Sequence, residues 1–207
     1  MTGEQYHKYV FDLERREFVG QFEEMYANEE KEGFDSWHQD NENNESRRIA
    51  LFMIEKKVFK SVLDIGCGKG TFTRKIKTET NKVLGVDVST TAVAKARQRY
   101  PYIDFKVATV EETLTFSENW DAVLCMEVLS YLPNWRAILE QIAEKTRYLF
   151  VGLFLPEAPI GFVKNFQDLR KEIQKNFIFE TELLWNEKHI YILAKSKRNI
   201  EKEEEEL

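Results

Sequence analysis

The chain has 207 residues, 43% hydrophobic and 32% charged, a balance expected of one globular domain with its own core. A net charge of −6 disfavours a nucleic-acid-binding surface, no basic-then-apolar leader opens the chain, and the apolar runs are too short for a membrane span. The two cysteines, Cys67 and Cys125, suggest neither a disulfide framework nor a zinc site, so a cytoplasmic protein without a metal is expected.

Residues 1–60 read as a helical segment ahead of an α/β core at 61–199, and 200–207 as an acidic, disordered tail. Tyr6 to Ala27 has helical spacing, with Tyr9, Val10, Leu13, Phe18, Phe22 and Met25 on one face. Asn28 to Glu45 reads as a polar loop carrying Phe34, Asp35, Ser36, Trp37 and His38. A second helix is expected over Ser46 to Lys57.

The stretch S-V-L-D-I-G-C-G-K-G-T-F-T, Ser61 to Thr73, predicts a buried strand, a glycine turn and a helix. Such a turn brings backbone close to a ligand, and the helix start offers unpaired N–H groups to it. Gly70 stands where a Walker A loop needs Ser or Thr, and Thr71 where a dinucleotide fingerprint needs glycine. Asp64, two residues before Gly66, would repel a pyrophosphate and suits a cofactor with a cationic amino group.

Strand and helix then alternate. Val83 to Val86 form a strand ending in Asp87, followed by a helix from Thr91 to Tyr100 capped by Ser89 or Thr90. Asp87, about twenty residues past the glycine turn, stands where a carboxylate accepts ribose hydroxyls. Ile103 to Val107 and Trp120 to Met126 are further strands, and a helix follows Pro133. Tyr148 to Leu155 is a fifth strand, Val163 to Lys175 a helix, and Phe177 to Trp185 with His189 to Lys195 a hairpin turning at Asn186-Glu187.

Together V-L-D-I-G-C-G-K-G, Asp87 and the run W-D-A-V-L-C-M-E-V-L-S-Y-L resemble the class I S-adenosylmethionine (SAM)-dependent methyltransferases. M-Y-A-N, F-D-S-W-H and N-E-S-R-R-I-A add a resemblance to the small nodulation-protein-S type of N-methyltransferases. The resemblance implies a Rossmann-like, mostly parallel seven-stranded sheet with an antiparallel terminal hairpin, helices on both faces and an N-terminal helical lid. It implies SAM as cofactor, held by Asp64, Gly66, Cys67, Gly68, Gly70, Asp87, Val88, Val110 and Met126. Where that family usually has an acid facing adenine, this chain has Thr109, with Glu111 and Glu112 as possible substitutes.

Phe34 to Arg48 is expected to fold over the strand ends, with Trp37 against cofactor or substrate. Arg48 is expected near the cofactor carboxylate, preferred to Arg47 because it matches a basic position in the resembling group. The implied acceptor is an amine or hydroxyl of a small molecule, a sugar or related metabolite. Glu127 is the best-placed carboxylate, as base, substrate ligand or structural acid; His38 and Tyr131 are further candidates. The competing reading is a SAM-binding regulatory protein without turnover.

Overall fold

The computed structural model describes residues 5–198, so the tail expected at 200–207 lies outside it. Seven strands form one sheet: β3 (Ser61–Ile65), β4 (Lys82–Asp87), β5 (Asp104–Val107), β6 (Trp120–Met126), β7 (Thr146–Phe154), β8 (Phe177–Trp185) and β9 (His189–Ser196). Their order is β5-β4-β3-β6-β7-β9-β8. The first five run parallel, and β9 is antiparallel to both β7 and β8. The β8–β9 turn places Asn186 and Glu187 at φ 49° and 56°, the left-handed geometry that matches hairpin twist. Strand order reverses between β3 and β6, which opens a crevice at the strand ends there.

Alternate side chains of each strand enter opposite layers. Leu63, Ile65, Leu84 and Val86 pack against α6 (Val110–Leu114), α7 (Trp135–Lys145) and α8 (Phe166–Asn176), with Ile138, Ile142 and Ile173 fully buried. Val62 and Val83 face α3 (Glu45–Ile54), α4 (Thr71–Ile76) and α5 (Thr90–Arg99), among Met53, Phe72 and Val93. Helix spacing therefore meets strand alternation on both faces of the sheet. Among the described residues no helix is long and apolar enough to cross a membrane, and no cluster of His, Cys, Asp and Glu could hold a metal.

The N-terminal segment differs from the expected continuous helix. It is α1 (His7–Val10), a two-stranded hairpin of β1 (Phe11–Asp12) and β2 (Glu17–Phe18), then α2 (Phe22–Glu32). Asp12 Oδ1 accepts from the Glu14 and Arg15 N–H groups at 3.0 and 2.9 Å and bends the chain out of helix. Helix α2 runs past the expected end to Gly33, whose N–H closes on the Glu29 carbonyl. Tyr6, Val10, Met25 and Tyr26 bury against Ala92 of α5, so this segment has its own small core on the sheet domain.

Lys69 of the glycine turn fastens the segment down. Its side chain is 1% exposed, and Nζ meets Glu29 at 3.1 Å, Asp35 at 2.9 Å and Asp40 at 2.8 Å. Lys95 shares Glu29, and Arg99 shares Asp40. Burial opposes the Lys69 charge, but hydrogen bonds to Asp40 and Asp35 outweigh it and raise the pKa. Burial likewise opposes the charges on Glu29 and Asp40, and their cationic partners still hold both carboxyls below their usual range.

Without Lys69, Lys95 and Arg99 still pair Glu29 and Asp40, and only the partly exposed Asp35 loses its cation. Lys69→Met is expected to lower stability by about 1–3 kcal/mol, read from urea denaturation. Glu29 and Asp40 are depressed in the folded state, so their contribution is present above the unfolded carboxylate range, about pH 4. It is lost as pH falls through the lower folded values, and the wild-type midpoint should drop there more steeply than that of Lys69→Met.

Candidate active site

The glycine turn is shaped from below and from above. Gly66 and Cys67 donate to the Val86 carbonyl at 2.8 and 2.9 Å, pinning the turn to the end of β4. Gly66 has φ +73°, and a methyl there would stand 2.3 Å from Val128 Cγ2. Gly68 has φ +53°, and a methyl there would strike the Gln39 amide at 2.3 Å. Gln39 Oε1 accepts from Lys69 N at 2.6 Å, and its Nε2 donates to Tyr26 Oη at 2.8 Å. Gly68 and Gly70 thus pack against the lid and against Phe105, while Gly66 and Cys67 line a cleft.

Two buried carboxylates flank the turn. Asp87, at the end of β4, accepts from Gly68 N through Oδ2 at 2.8 Å and from Ser89 N through Oδ1 at 2.9 Å. Burial raises its pKa against the pull of those N–H groups. Each oxygen keeps a second lone pair for a ligand hydroxyl. Asp64, at the end of β3, accepts from Thr73 Oγ1 at 2.6 Å, and burial pushes its carboxyl up to about 7. Both line the cleft.

Val88, Thr109, Val110 and Met126 line the same cleft. The Thr109 side chain caps α6, accepting from Glu112 N at 3.1 Å while Glu112 Oε2 takes Thr109 N at 2.8 Å. Glu112 is spent as that cap and lies outside the lining; Glu111 lies inside it and accepts from Asn134 at 2.9 Å.

Glu127 follows β6 in a left-handed conformation, φ 59°, uncommon for this residue type. Its N–H donates to the Gly152 carbonyl and its Oε2 accepts from Phe154 N, both at 2.8 Å. The side chain is thereby held at the cleft, and desolvation brings its carboxyl to about 7. Burial, with a smaller push from the nearby Glu127 carboxylate, raises the Tyr131 phenol well above 10.

The lid supplies the upper wall. Trp37 sits in a short 3-10 turn, Ser36–His38, with φ 57°, its ring 4.9 Å from Tyr6 and 5.6 Å from Tyr131. His38 is exposed at the rim. The expectation for Arg48 is corrected: Arg48 is exposed and outside the cleft lining, and Arg47 is the buried, cleft-lining arginine. Helix periodicity explains the exchange, because α3 buries Arg47, Ala50, Met53 and Ile54 on one stripe. Arg47 donates to the carbonyls of Trp37 at 3.3 Å, His38 and Asn41 at 2.9 Å, and its buried Nε has no partner among the described residues. Gln39 carries no signal in the sequence because a polar loop has no periodicity, and Tyr26, although on α2, meets Gln39 only through the tertiary fold; only Gly68 hinted that something approaches closely.

The cleft so built has a volume of about 1030 Å³. Small-molecule sites run from about 300 to 1,000 Å³, so there is room for a nucleoside cofactor and a second molecule.

Residues 62–147 match the family model described as methyltransferase domain. The chain contains a methyltransferase domain. The N-methyltransferase NodS of Bradyrhizobium japonicum, in complex with S-adenosyl-L-homocysteine, superposes with a TM-score of 0.67 at 19% identity, covering 78% of this chain and 91% of that one. Magnesium protoporphyrin IX methyltransferase (ChlM) of Synechocystis, with bound SAM, gives 0.60 at 18% identity over 77% and 80% of the two chains. The sheet thus has the class I methyltransferase fold of these two proteins, whose structures hold S-adenosyl-L-homocysteine and SAM. A ubiquinone biosynthesis O-methyltransferase of Glaesserella parasuis is 36% identical over 90 residues, 39% of this chain and 38% of that protein. The chain therefore spans about two fifths of the length of such curated relatives.

Asp64 and Glu127 bind protons more tightly in the folded methyltransferase domain than in an unfolded chain. Stability they contribute is therefore lost as pH rises from about 4 toward about 7. Glu127→Gln should gain stability relative to wild type progressively between pH 5 and pH 8, measured by thermal unfolding of the ligand-free protein. A difference that stays constant over that range would mean the carboxyl titrates normally.

Proposed function

We propose that this chain transfers the methyl group of S-adenosylmethionine to a hydroxyl or amine of a small molecule. The observation that carries the proposal is the convergence of Asp64, Asp87 and Glu127 on one cleft, roomy enough for cofactor and acceptor. Asp87 accepts the ribose hydroxyls with its spare lone pairs, while Gly68 and Ser89 hold its orientation. Asp64 faces the ammonium of the methionyl part, whose charge would draw the carboxyl back into its ionised form. Val88, Val110 and Met126 offer apolar contact to the adenine, and Thr109 sets the start of α6 beside it. Arg47, rather than Arg48, is the lid cation available to the cofactor carboxylate. Trp37 closes the cleft above.

The sulfonium methyl is already activated, so the protein supplies alignment and a water-poor site. Glu127, beyond Met126, is held at the acceptor side with a pKa near neutrality, where a general base works best. His38 lies at the rim and suits acceptor entry better than proton transfer. In this proposal the chain acts in the cytoplasm and without nucleic acid, in keeping with its net charge of −6.

SAM and S-adenosylhomocysteine should raise the melting temperature, and NAD should not. Asp87→Ala should abolish that shift or reduce it strongly. Glu127→Gln should preserve cofactor affinity and lower turnover by about 10²–10⁴-fold. Cofactor binding with no transfer to any acceptor would favour the regulatory reading instead.

A further inference from the structure

One wall of the cleft is a cluster of packed aromatic rings, with Tyr131 at the centre of the cluster. That ring lies 5.5 Å from Phe22, 5.6 Å from Trp37 and 6.0 Å from Phe11, and stacks on Phe18 at 5.9 Å with only 18° between planes. These partners come from four separate pieces of the lid: β1, β2, α2 and the turn at Ser36–His38. Leu155, Pro156 and Ile160, after β7, add further apolar lining.

Three polar groups stand out against this lining. Glu127 is one. Ser130 is the second: it is 7% exposed, lines the cleft, and its Oγ has no partner among the described residues. The third is His189, whose buried Nδ1 also has no partner among them. Its ring lies 4.8 Å from that of Phe154, the residue whose N–H holds Glu127. Arg16 lines the cleft too, but its guanidinium is turned onto the Ala158 carbonyl at 2.9 Å.

A polyhydroxylated acceptor carries groups all round its rim, and each needs a partner once buried. The aromatic wall offers ring faces in place of such partners. A flat aromatic acceptor makes no such demand and gains by stacking. We propose that this wall is the acceptor site and that its occupant is a hydroxylated aromatic ring. The ring lies against the cleft-facing side of the Tyr131, Trp37 and Phe18 cluster, with its hydroxyl directed to Glu127. This rests on the methyl-transfer reading above. In the step, the phenolic proton passes to the Glu127 carboxylate and the oxygen lone pair attacks the sulfonium methyl carbon. The carbon–sulfur bond breaks with its electrons going to sulfur, neutral S-adenosylhomocysteine leaves, and Glu127 returns its proton to solvent.

The test uses the full chain, first titrated with S-adenosylhomocysteine and then, loaded with it, with phenol, catechol, 2-naphthol, 2-naphthylamine and glucosamine. The same compounds are assayed for transfer from methyl-labelled SAM. At least one phenol should bind and become labelled, and glucosamine should do neither. Tyr131→Ala and Phe18→Ala should weaken phenol binding about tenfold or more and leave S-adenosylhomocysteine affinity within about twofold. Tyr131→Phe keeps the ring and should bind the phenol like wild type. Labelling of glucosamine or 2-naphthylamine in place of any phenol would overturn the assignment, as would cofactor binding without phenol binding to the wild type. Failure to bind S-adenosylhomocysteine would remove the methyl-transfer reading itself, and this inference with it.

Discussion

One buried ammonium, Lys69 Nζ, joins the two halves of this molecule. It sits in the glycine turn and meets carboxylates from α2, from the loop after it and from the segment before α3. Full desolvation of a lysine is unfavourable unless partners are held close, so the cluster tolerates few lid positions. The backbone N–H of the same residue is taken by Gln39, which in turn is braced by Tyr26. Lid and cofactor turn are thereby one structural unit, and a change in either is felt by the other.

That coupling explains the character of the cleft. The sheet alone supplies the carboxylates at the ends of β3 and β4 and the one after β6, since parallel strands end on the same side. The lid converts this open edge into an enclosed site and adds aromatic walls. Burial is the chief cause of the raised carboxyl pKa values of Asp64 and Glu127.

Backbone strain is concentrated at the same place. Trp37, His38 and Glu127 all adopt left-handed conformations. Such residues persist only when surrounding contacts over-determine them. Here the Arg47 guanidinium gathers the carbonyls around Trp37 and His38, and Gly152 and Phe154 clamp Glu127 from both ends.

The α/β sheet and, to within about two residues, its strand bounds were legible in the chain itself, as was the placing of Asp64, Asp87 and Glu127 at strand ends. Strand β6 was predicted over its observed span, Trp120 to Met126, because short apolar β-branched runs between turn residues carry a strong local signal. The capping of α5 by Ser89 was readable for the same local reason. The lid was not. Its hairpin depends on Asp12 bonding to its neighbours' N–H groups, which competes with helix in a way that apolar spacing does not show. The choice of Arg47 over Arg48 depends on which side of α3 faces the sheet, and that is a matter of packing. The roles of Lys69, Gln39 and Tyr26 are tertiary altogether, since each meets partners at least thirteen residues away that no periodicity connects.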